Sequence, residues 1–408
     1  MQQPPQDMWT AVWRVARGVL SALGFTALGT GVGAGLGGVL GRLLGAVFTF
    51  GTSLVAAPLL GALLGGAFGC FHCIRYYAGC LESLLLYHPR RYVDKSFLDI
   101  TWDVADVRYT LEPLDYDLPG SGTQTVYLLK PSGPVRRLWV FFGGNAMLAA
   151  DWLAFCDHIF TAVDAGKGET EVAFLLVDYP GYGRNKGETS PESVLRTSVL
   201  AVGAALRHLS AEDVSVHLLG HSLGAAAASQ LASSWDASLL PAELRPTQEP
   251  GTLLLSAPFL DIPEMAAQLL RLVLQRLLPA GYSLLLEVAP LQEAQLEKLQ
   301  PAWQRFSDAV ARYGRPALVA LLRPIVPHRW NNVRAVKKAA EAGWKVHVLH
   351  GAQDELIPPE MGRQLASLAC EAMGSSSRVF EEIPRAGHND VVSKGFESYV
   401  KVMGLLRS

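Results

Sequence analysis

The sequence predicts an α/β protein: a mostly parallel β-sheet with helices on both faces and a late helical cap insertion, preceded by a glycine-rich helical membrane segment. Three observations carry this expectation. From Leu138 to the C-terminus, short apolar runs alternate with helix-forming runs, the pattern of parallel strands buried on both faces. A Gly-x-Ser-x-Gly pentapeptide, Gly220 to Gly224, sits where one such apolar run passes into an alanine-rich run. Before residue 75, two long stretches carry no charge at all.

At 408 residues the chain has room for one large α/β domain plus an appended segment. With a formal net charge of −2 and no basic stripe interleaved with aromatics, no nucleic-acid partner is expected. The five cysteines, Cys70, Cys73, Cys80, Cys156 and Cys370, form an odd and sparse set rather than a disulfide framework, and a reducing compartment follows. Cys70 and Cys73 have a metal-pair spacing but no second pair completes four ligands. Their place just after an apolar segment fits S-palmitoylation; the other reading is small buried residues.

Residues 1–17 are polar and carry Arg14 and Arg17. Two uncharged runs follow, Gly18 to Gly41 and Leu43 to Phe71, separated by Arg42, and each could cross a hydrocarbon core as a helix. Gly29, Gly33, Gly37, Gly41 and Gly45 recur every four residues, as do Gly61, Gly65 and Gly69, giving flat faces on which two helices pack closely. In water each glycine costs a helix roughly 1 kcal/mol relative to alanine, whereas a bilayer forces backbone groups to bond internally. Residues 18–74 are therefore expected to be a membrane hairpin, with self-association through the glycine faces. Arg14 and Arg17 before it and Arg75, Arg90 and Arg91 after it outnumber Arg42 at the turn, which puts both ends, and the domain that follows, in the cytosol. A single tilted span would place that domain across the membrane, and a targeting segment over residues 1–70 is a further reading. A cleaved signal peptide fits poorly, because its apolar core runs to only about 7 to 15 residues.

Residues 75–95 read as a juxtamembrane amphipathic helix ending near Tyr87 to Arg90, and 96–408 as the α/β domain. Val104 to Leu111 and Thr125 to Leu129 are its first expected strands, joined by a turn at Pro119 to Gly122. Leu138 to Phe142, Glu171 to Asp178, Val214 to Leu219, Thr252 to Ser256, Trp344 to Leu349 and Val379 to Ile383 continue the series. Helices are expected over Pro191 to Leu209, after Pro359 and after Ser393. The stretch 258–343 breaks the alternation with a helical pattern, dense in Leu and Val from Met265 to Leu286. Inserted between two strands, it is expected to cap the strand ends, where open α/β sheets bind ligands.

The pentapeptide places Ser222 on a sharp strand-to-helix turn, a nucleophile elbow, with Gly220 and Gly224 expected where a Cβ would strike the neighbouring strand or helix. A serine hydroxyl needs a base within hydrogen-bond reach and an acid to orient that base. Asp354 lies in a loop immediately after one strand and His388 in a loop after the last, and the order Ser222, Asp354, His388 is the one such a fold requires. Glu355 is the second-ranked acid. His221, beside the nucleophile, is expected to turn away and pack or hydrogen-bond within the elbow, and His217 and His350 are expected to be structural. Two backbone N–H groups should face the developing oxyanion: that of Leu223, and that of Asn145 in the loop Gly143-Gly144-Asn145-Ala146.

Together, Gly220-His221-Ser222-Leu223-Gly224, Phe142-Gly143-Gly144-Asn145-Ala146, Asp178-Tyr179-Pro180-Gly181-Tyr182-Gly183, His350-Gly351-x-x-Asp354 and Ala386-Gly387-His388-Asn389-Asp390 resemble the serine hydrolases of the α/β-hydrolase superfamily. More narrowly they resemble its membrane-tethered branch of lysophospholipase-like, monoacylglycerol-lipase-like and depalmitoylase-like enzymes. The resemblance covers roughly residues 85 to 408. Gly143 departs from it, standing where many relatives have histidine, and the insertion is longer than compact members use. The resemblance implies a membrane-anchored serine hydrolase acting through an acyl-enzyme on carboxylic esters or thioesters of lipid-like substrates: lysophospholipid, acylglycerol or S-acyl protein. No cofactor and no metal are expected. The alternative from another class is a non-catalytic membrane scaffold that uses the same fold as a binding module.

Overall fold

The computed structural model describes residues 86–92, 109–164, 171–209, 214–235, 250–272, 316–326, 330–374 and 379–405, with helical stretches at 62–69 and 301–305 and a few single positions. The chain divides into two units, Met1–Leu86 with Ala320–His328, and Tyr87–Val319 with Arg329–Ser408. In the first unit, helical residues 62–69 expose Leu63, Leu64 and Phe68. Among the described residues no helix is long and apolar enough to cross a membrane. Of the two uncharged runs expected to form the hairpin, the first lies outside the described residues but for Val32, and the second is described only at 60, 62–69 and 71.

The second unit holds one eight-stranded sheet in the order β1-β2-β4-β3-β5-β6-β7-β8. The strands are β1 (Tyr109–Leu118), β2 (Gly122–Pro131), β3 (Arg137–Phe142), β4 (Val172–Val177), β5 (Ser215–His221), β6 (Thr252–Ser256), β7 (Lys345–Gly351) and β8 (Phe380–Ile383). β2 runs antiparallel to both β1 and β4, and all other pairings are parallel. Parallel neighbours need crossover helices, which is why the apolar runs alternate with helical ones along the sequence.

Those helices cover both faces. Helix α1 (Leu153–Asp164) and the C-terminal helix α6 (Phe396–Val402) lie on one side, where Phe155 and Tyr399 pack with Trp139 and Phe141 of β3 and Phe174 of β4. Trp139, Phe141 and Phe174 are fully buried, and each such side chain contributes about 1.5–3 kcal/mol on removal from water. Helices α2 (Pro191–Leu209), α3 (Leu223–Ser233), α4 (Asn332–Glu341) and α5 (Pro359–Met373) pack side by side in that order. α2 starts at Pro191, whose missing N–H is harmless in the first turn, and Ser190 Oγ caps it by accepting the Ser193 N–H at 3.1 Å. α4, at the end of the stretch expected to form the cap, packs against α3 and α5. Its neighbours are thus helices of the layer over the sheet.

The first two strands run on past the sequence expectation, β2 spanning Gly122–Pro131 rather than Thr125 to Leu129. β1 runs to Leu118 rather than stopping at Leu111, and its burial alternates through Leu114, Tyr116 and Leu118, with Asp115 and Asp117 exposed between them. Those acids read as loop, yet they are the solvent face of a half-buried strand. The segment 75–95, expected to be a helix ending near Tyr87 to Arg90, leaves the helix at that place: Leu86 is helical, and residues 87–92 are not. Pro89 has no N–H to give a helix and disfavours helical backbone at His88 before it.

The register sets the site. Phe142 is level with Val177 and Gly220, His221 with Ser256, Ser256 with Leu349, and Gly351 with Ile383. The loops that follow β3, β4, β5, β7 and β8 therefore leave from one edge of the sheet. Each of the five motifs sits on one of those loops.

Candidate active site

β5 ends at His221 and α3 begins at Leu223, so the whole reversal falls on Ser222, at φ 56° and ψ −114°. A non-glycine residue there carries about 1–3 kcal/mol of strain, and it persists only where the surroundings impose it. Here the Ser222 N–H donates to Ser256 O at 2.8 Å, and Ser222 O accepts from the Ala225 N–H at 3.0 Å. The glycines supply the room. A Cβ on Gly220 would stand 2.0 Å from Gly224 O, and one on Gly224 would stand 2.1 Å from Phe142 O. The first is a clash with the helix and the second a clash with the neighbouring strand, as the pentapeptide led one to expect.

Ser222, Asp354 and His388 come together. His388 Nε2 lies 3.0 Å from Ser222 Oγ, and its Nδ1 lies 2.7 Å from Asp354 Oδ2. A carboxylate can only accept, so Nδ1 carries the proton and Nε2 faces the hydroxyl as an acceptor. Asp354 is fixed by the loop after β7: its Oδ1 accepts the Leu356 N–H at 3.0 Å and the Ile357 N–H at 2.8 Å. His350 Nε2 donates to Ile357 O at 2.8 Å and stands 3.4 Å from Asp354 Oδ2. Burial works to raise the Asp354 pKa, but the bonds from His350 and His388, the His388 charge and the Ile357 N–H outweigh it and hold the carboxyl well below the usual range. Glu355, the second-ranked acid, is exposed on the same loop. The loop carrying His388 is tied by the Gly387 N–H donating to Asp390 Oδ1 at 2.7 Å and by the Gln353 N–H donating to Ala386 O at 2.8 Å.

His221 turns away from Ser222. Its Nδ1 lies 2.9 Å from Ser256 Oγ, which lies 2.5 Å from Tyr399 OH. Burial first, and then the neighbouring His388 charge, lower its pKa to about 3, so it sits as a neutral ring behind His388. His217 is likewise structural, stacked 4.8 Å from Trp139 and accepting the Thr252 N–H at Nδ1. His350, by contrast, is a neighbour of the Asp354 carboxylate, which its place at a strand end did not reveal.

The two expected oxyanion donors flank the serine. Leu223 follows it in sequence. Asn145 lies in the loop after β3, which runs alongside it: a Cβ on Gly144 would stand 3.4 Å from Ser222 Cβ. Neither the Leu223 nor the Asn145 N–H meets a protein acceptor among the described residues. The rest of that loop is held on several sides. Tyr179 OH donates to Gly143 O at 2.6 Å, the Gly144 N–H to Met147 Sδ at 3.1 Å, and Tyr182 OH to Asn145 Oδ1 at 3.0 Å. The Asp178 to Gly183 motif thus braces the loop with both of its tyrosines. Asp178 itself, pushed up to about 6 by burial, accepts from the Ala149 N–H and from Tyr92 OH.

Sequence reasoning missed one contributor, the segment 87–92. His88, Arg90, Arg91 and Tyr92 all bond to loops at this edge, and Arg91 forms a parallel bridge with Gly183. The available signal was Pro89 between a histidine and the basic pair Arg90-Arg91, which argues against helix but does not say where the segment docks.

A sequence model described as "Alpha/beta hydrolase family" matches residues 139–398. Among solved structures the chain is similar to an alpha-beta hydrolase from Vibrio vulnificus, at 15% identity over 79% of this chain and 92% of that one, TM-score 0.49. It is also similar to carboxyl esterase 2 from Tuber melanosporum, at 16% identity over 81% and 95% of the two chains, TM-score 0.46. A thermostable carboxyl esterase from Bacillus coagulans in complex with glycerol shares 12% identity over 73% and 99%, TM-score 0.44.

Proposed function

The chain belongs to the alpha/beta hydrolase family, and on that premise we propose that it is a serine hydrolase cleaving carboxylic ester or thioester bonds through an acyl-enzyme. The observation that carries this reading is the unbroken contact chain from Ser222 Oγ through the His388 ring to Asp354, at 3.0 and 2.7 Å. In the reaction, Ser222 Oγ attacks the carbonyl carbon as His388 Nε2 takes its proton. Asp354 stabilises the imidazolium and keeps the proton on Nδ1. The Leu223 and Asn145 N–H groups receive the oxyanion, in most such sites the largest single electrostatic contribution. His388 then returns the proton to the leaving alcohol or thiol, and water repeats the sequence to release the acid.

The substrate we propose is lipid-like, and the setting is a membrane on whose cytosolic face the domain works. Support comes from the uncharged glycine-rich runs before Phe71, from Leu63, Leu64 and Phe68 exposed on helical residues 62–69, and from the apolar pattern between Met265 and Leu286. Ser222→Ala should abolish labelling of the full chain by a fluorophosphonate, and undiminished labelling would overturn the assignment. Lipid and S-acyl-protein profiles of cells carrying the chain or its Ser222→Ala form separate the two substrate classes. Release of the chain from membranes by alkaline carbonate would remove the anchor from the reading.

A further inference from the structure

The Asn145 carboxamide is engaged by His88 at both ends. Its Oδ1 accepts the His88 main-chain N–H at 2.9 Å, and its Nδ2 lies 2.8 Å from His88 Nδ1. An amide nitrogen only donates, so the ring nitrogen facing it is unprotonated and accepts. Tyr182 OH adds a third bond to Oδ1 at 3.0 Å. The next residue, Ala146, has φ 61°, a conformation that a residue with a Cβ keeps only under outside constraint. Its carbonyl is taken by Arg90 Nη1 at 3.1 Å, and Arg90 Nη1 also bonds Asp151 Oδ2 at 2.8 Å. His88 and Arg90 belong to one short segment, 57 and 56 positions before their partners.

We propose that His88 and the Asn145 side chain form a latch that positions the oxyanion donor. By fixing the carboxamide at three points, the latch holds the main-chain N–H of Asn145 towards the carbonyl that reacts at Ser222. Both side chains are positioning residues: they act through the Asn145 backbone and do not touch the substrate. The inference rests on the serine-hydrolase reading. It assigns the sequence that leads out of the glycine-rich region a part in the active site, beyond a tether. A donor displaced by about 1 Å loses on the order of a hundredfold in rate, so the latch is expected to act on turnover and leave substrate binding almost unchanged.

The test uses the full chain in detergent, with p-nitrophenyl butyrate as substrate and a fluorophosphonate as probe. His88→Ala keeps the backbone N–H and removes only the ring acceptor. It should lower kcat by about tenfold to a hundredfold with KM within about twofold, and fluorophosphonate labelling should slow yet reach the same final extent. His88→Asn, whose Oδ1 can take the place of the ring nitrogen, should recover most of the rate. Asn145→Ala, which keeps the main-chain donor, should resemble His88→Ala. A full rate in both alanine variants would overturn the latch while leaving the serine hydrolase intact. So would equal losses in His88→Ala and His88→Asn that follow only a lowered Tm, the mark of a purely structural contact. An unmodified chain that the fluorophosphonate does not label would instead sink the serine-hydrolase reading, and the latch with it.

Discussion

Asp354 shows how much of the site is decided by where hydrogen-bond donors point. One of its oxygens is saturated by two loop N–H groups and the other faces the His388 and His350 rings, so the carboxylate has neither room nor reason to rotate. Its orientation dictates the His388 tautomer. In Asp354→Asn the same place holds a carboxamide, whose NH2 faces His388 if its oxygen keeps the two loop N–H bonds. The ring must then present an acceptor at Nδ1 and carry its proton on Nε2, where it can no longer take one from Ser222. Turnover of p-nitrophenyl butyrate should fall by about 10³–10⁴ with the fold intact, the scale at which triads lose rate when the tautomer is wrong. A variant retaining more than about a tenth of the activity would mean that Asp354 does not orient the base, since triad acids contribute far more than that.

At the scale of elements, the site depends on β3, β5 and α3 approaching more closely than any side chain would permit. Gly224 lies under the end of β3, and a Cβ there would press on Phe142 O and Gly143 O at 2.1 and 2.6 Å. Both atoms are backbone, and Gly143 O is already held by Tyr179 OH, so neither can retreat cheaply. Gly224→Ala should cost about 3 kcal/mol, the upper end of overpacking penalties, seen as a lowered Tm, and should displace the Asn145 loop. An unchanged Tm would show that the strand and helix can part without loss. This crowding was readable from the sequence because Gly-x-Ser-x-Gly between an apolar run and an alanine run has few other physical meanings. The parallel strands were readable too, since Leu138 to Phe142 has no use for five consecutive apolar side chains, nor Leu253 to Leu255 for three, unless both faces are covered. β1 was harder: half of its residues face water, and Glu112, Asp115 and Asp117 mimic a loop. The docking of 87–92 was out of reach, because its bonds to Asn145, Ala146 and Asn185 join positions 56 to 94 apart, and no local pattern encodes a partner at that distance. The two tyrosines of the Asp178 to Gly183 motif were visible as residues, but what they brace appears only when β3 and β4 are adjacent.

Taken whole, the molecule buries ionisable groups of both signs, and their balance sets how it meets acid. Burial, aided by the Arg137 and Lys345 charges, lowers His217 from 6.5 to about 4, and burial with His388 lowers His221 from 6.5 to about 3. Both therefore favour the folded chain less as pH falls below 6.5, because the unfolded chain takes up protons that the folded one refuses. Asp178 works in the opposite direction. Burial raises it from 3.8 to about 6, so its contribution to stability is full below 3.8 and is lost as pH rises through 6. Between about pH 6 and 4 the two histidines outweigh the one carboxylate by a single proton, which gives a loss of about 1.4 kcal/mol per pH unit on acidification. His347, also lowered by burial, adds to the same side. Below that window Asp354, whose pKa is held down in the fold, is the next to fail, since its stabilisation is present above the ordinary carboxylate pKa and disappears as pH falls through its folded value. Urea midpoints of the full chain should accordingly drop steadily from pH 6.5 to 4 at constant m-value. Asp178→Asn should make that decline steeper by removing the opposing proton, and His217→Gln should make it shallower. A midpoint that stays level across the window in the unmodified chain, or a decline that Asp178→Asn makes shallower, would mean that these groups are not buried in the charge states the fold assigns them.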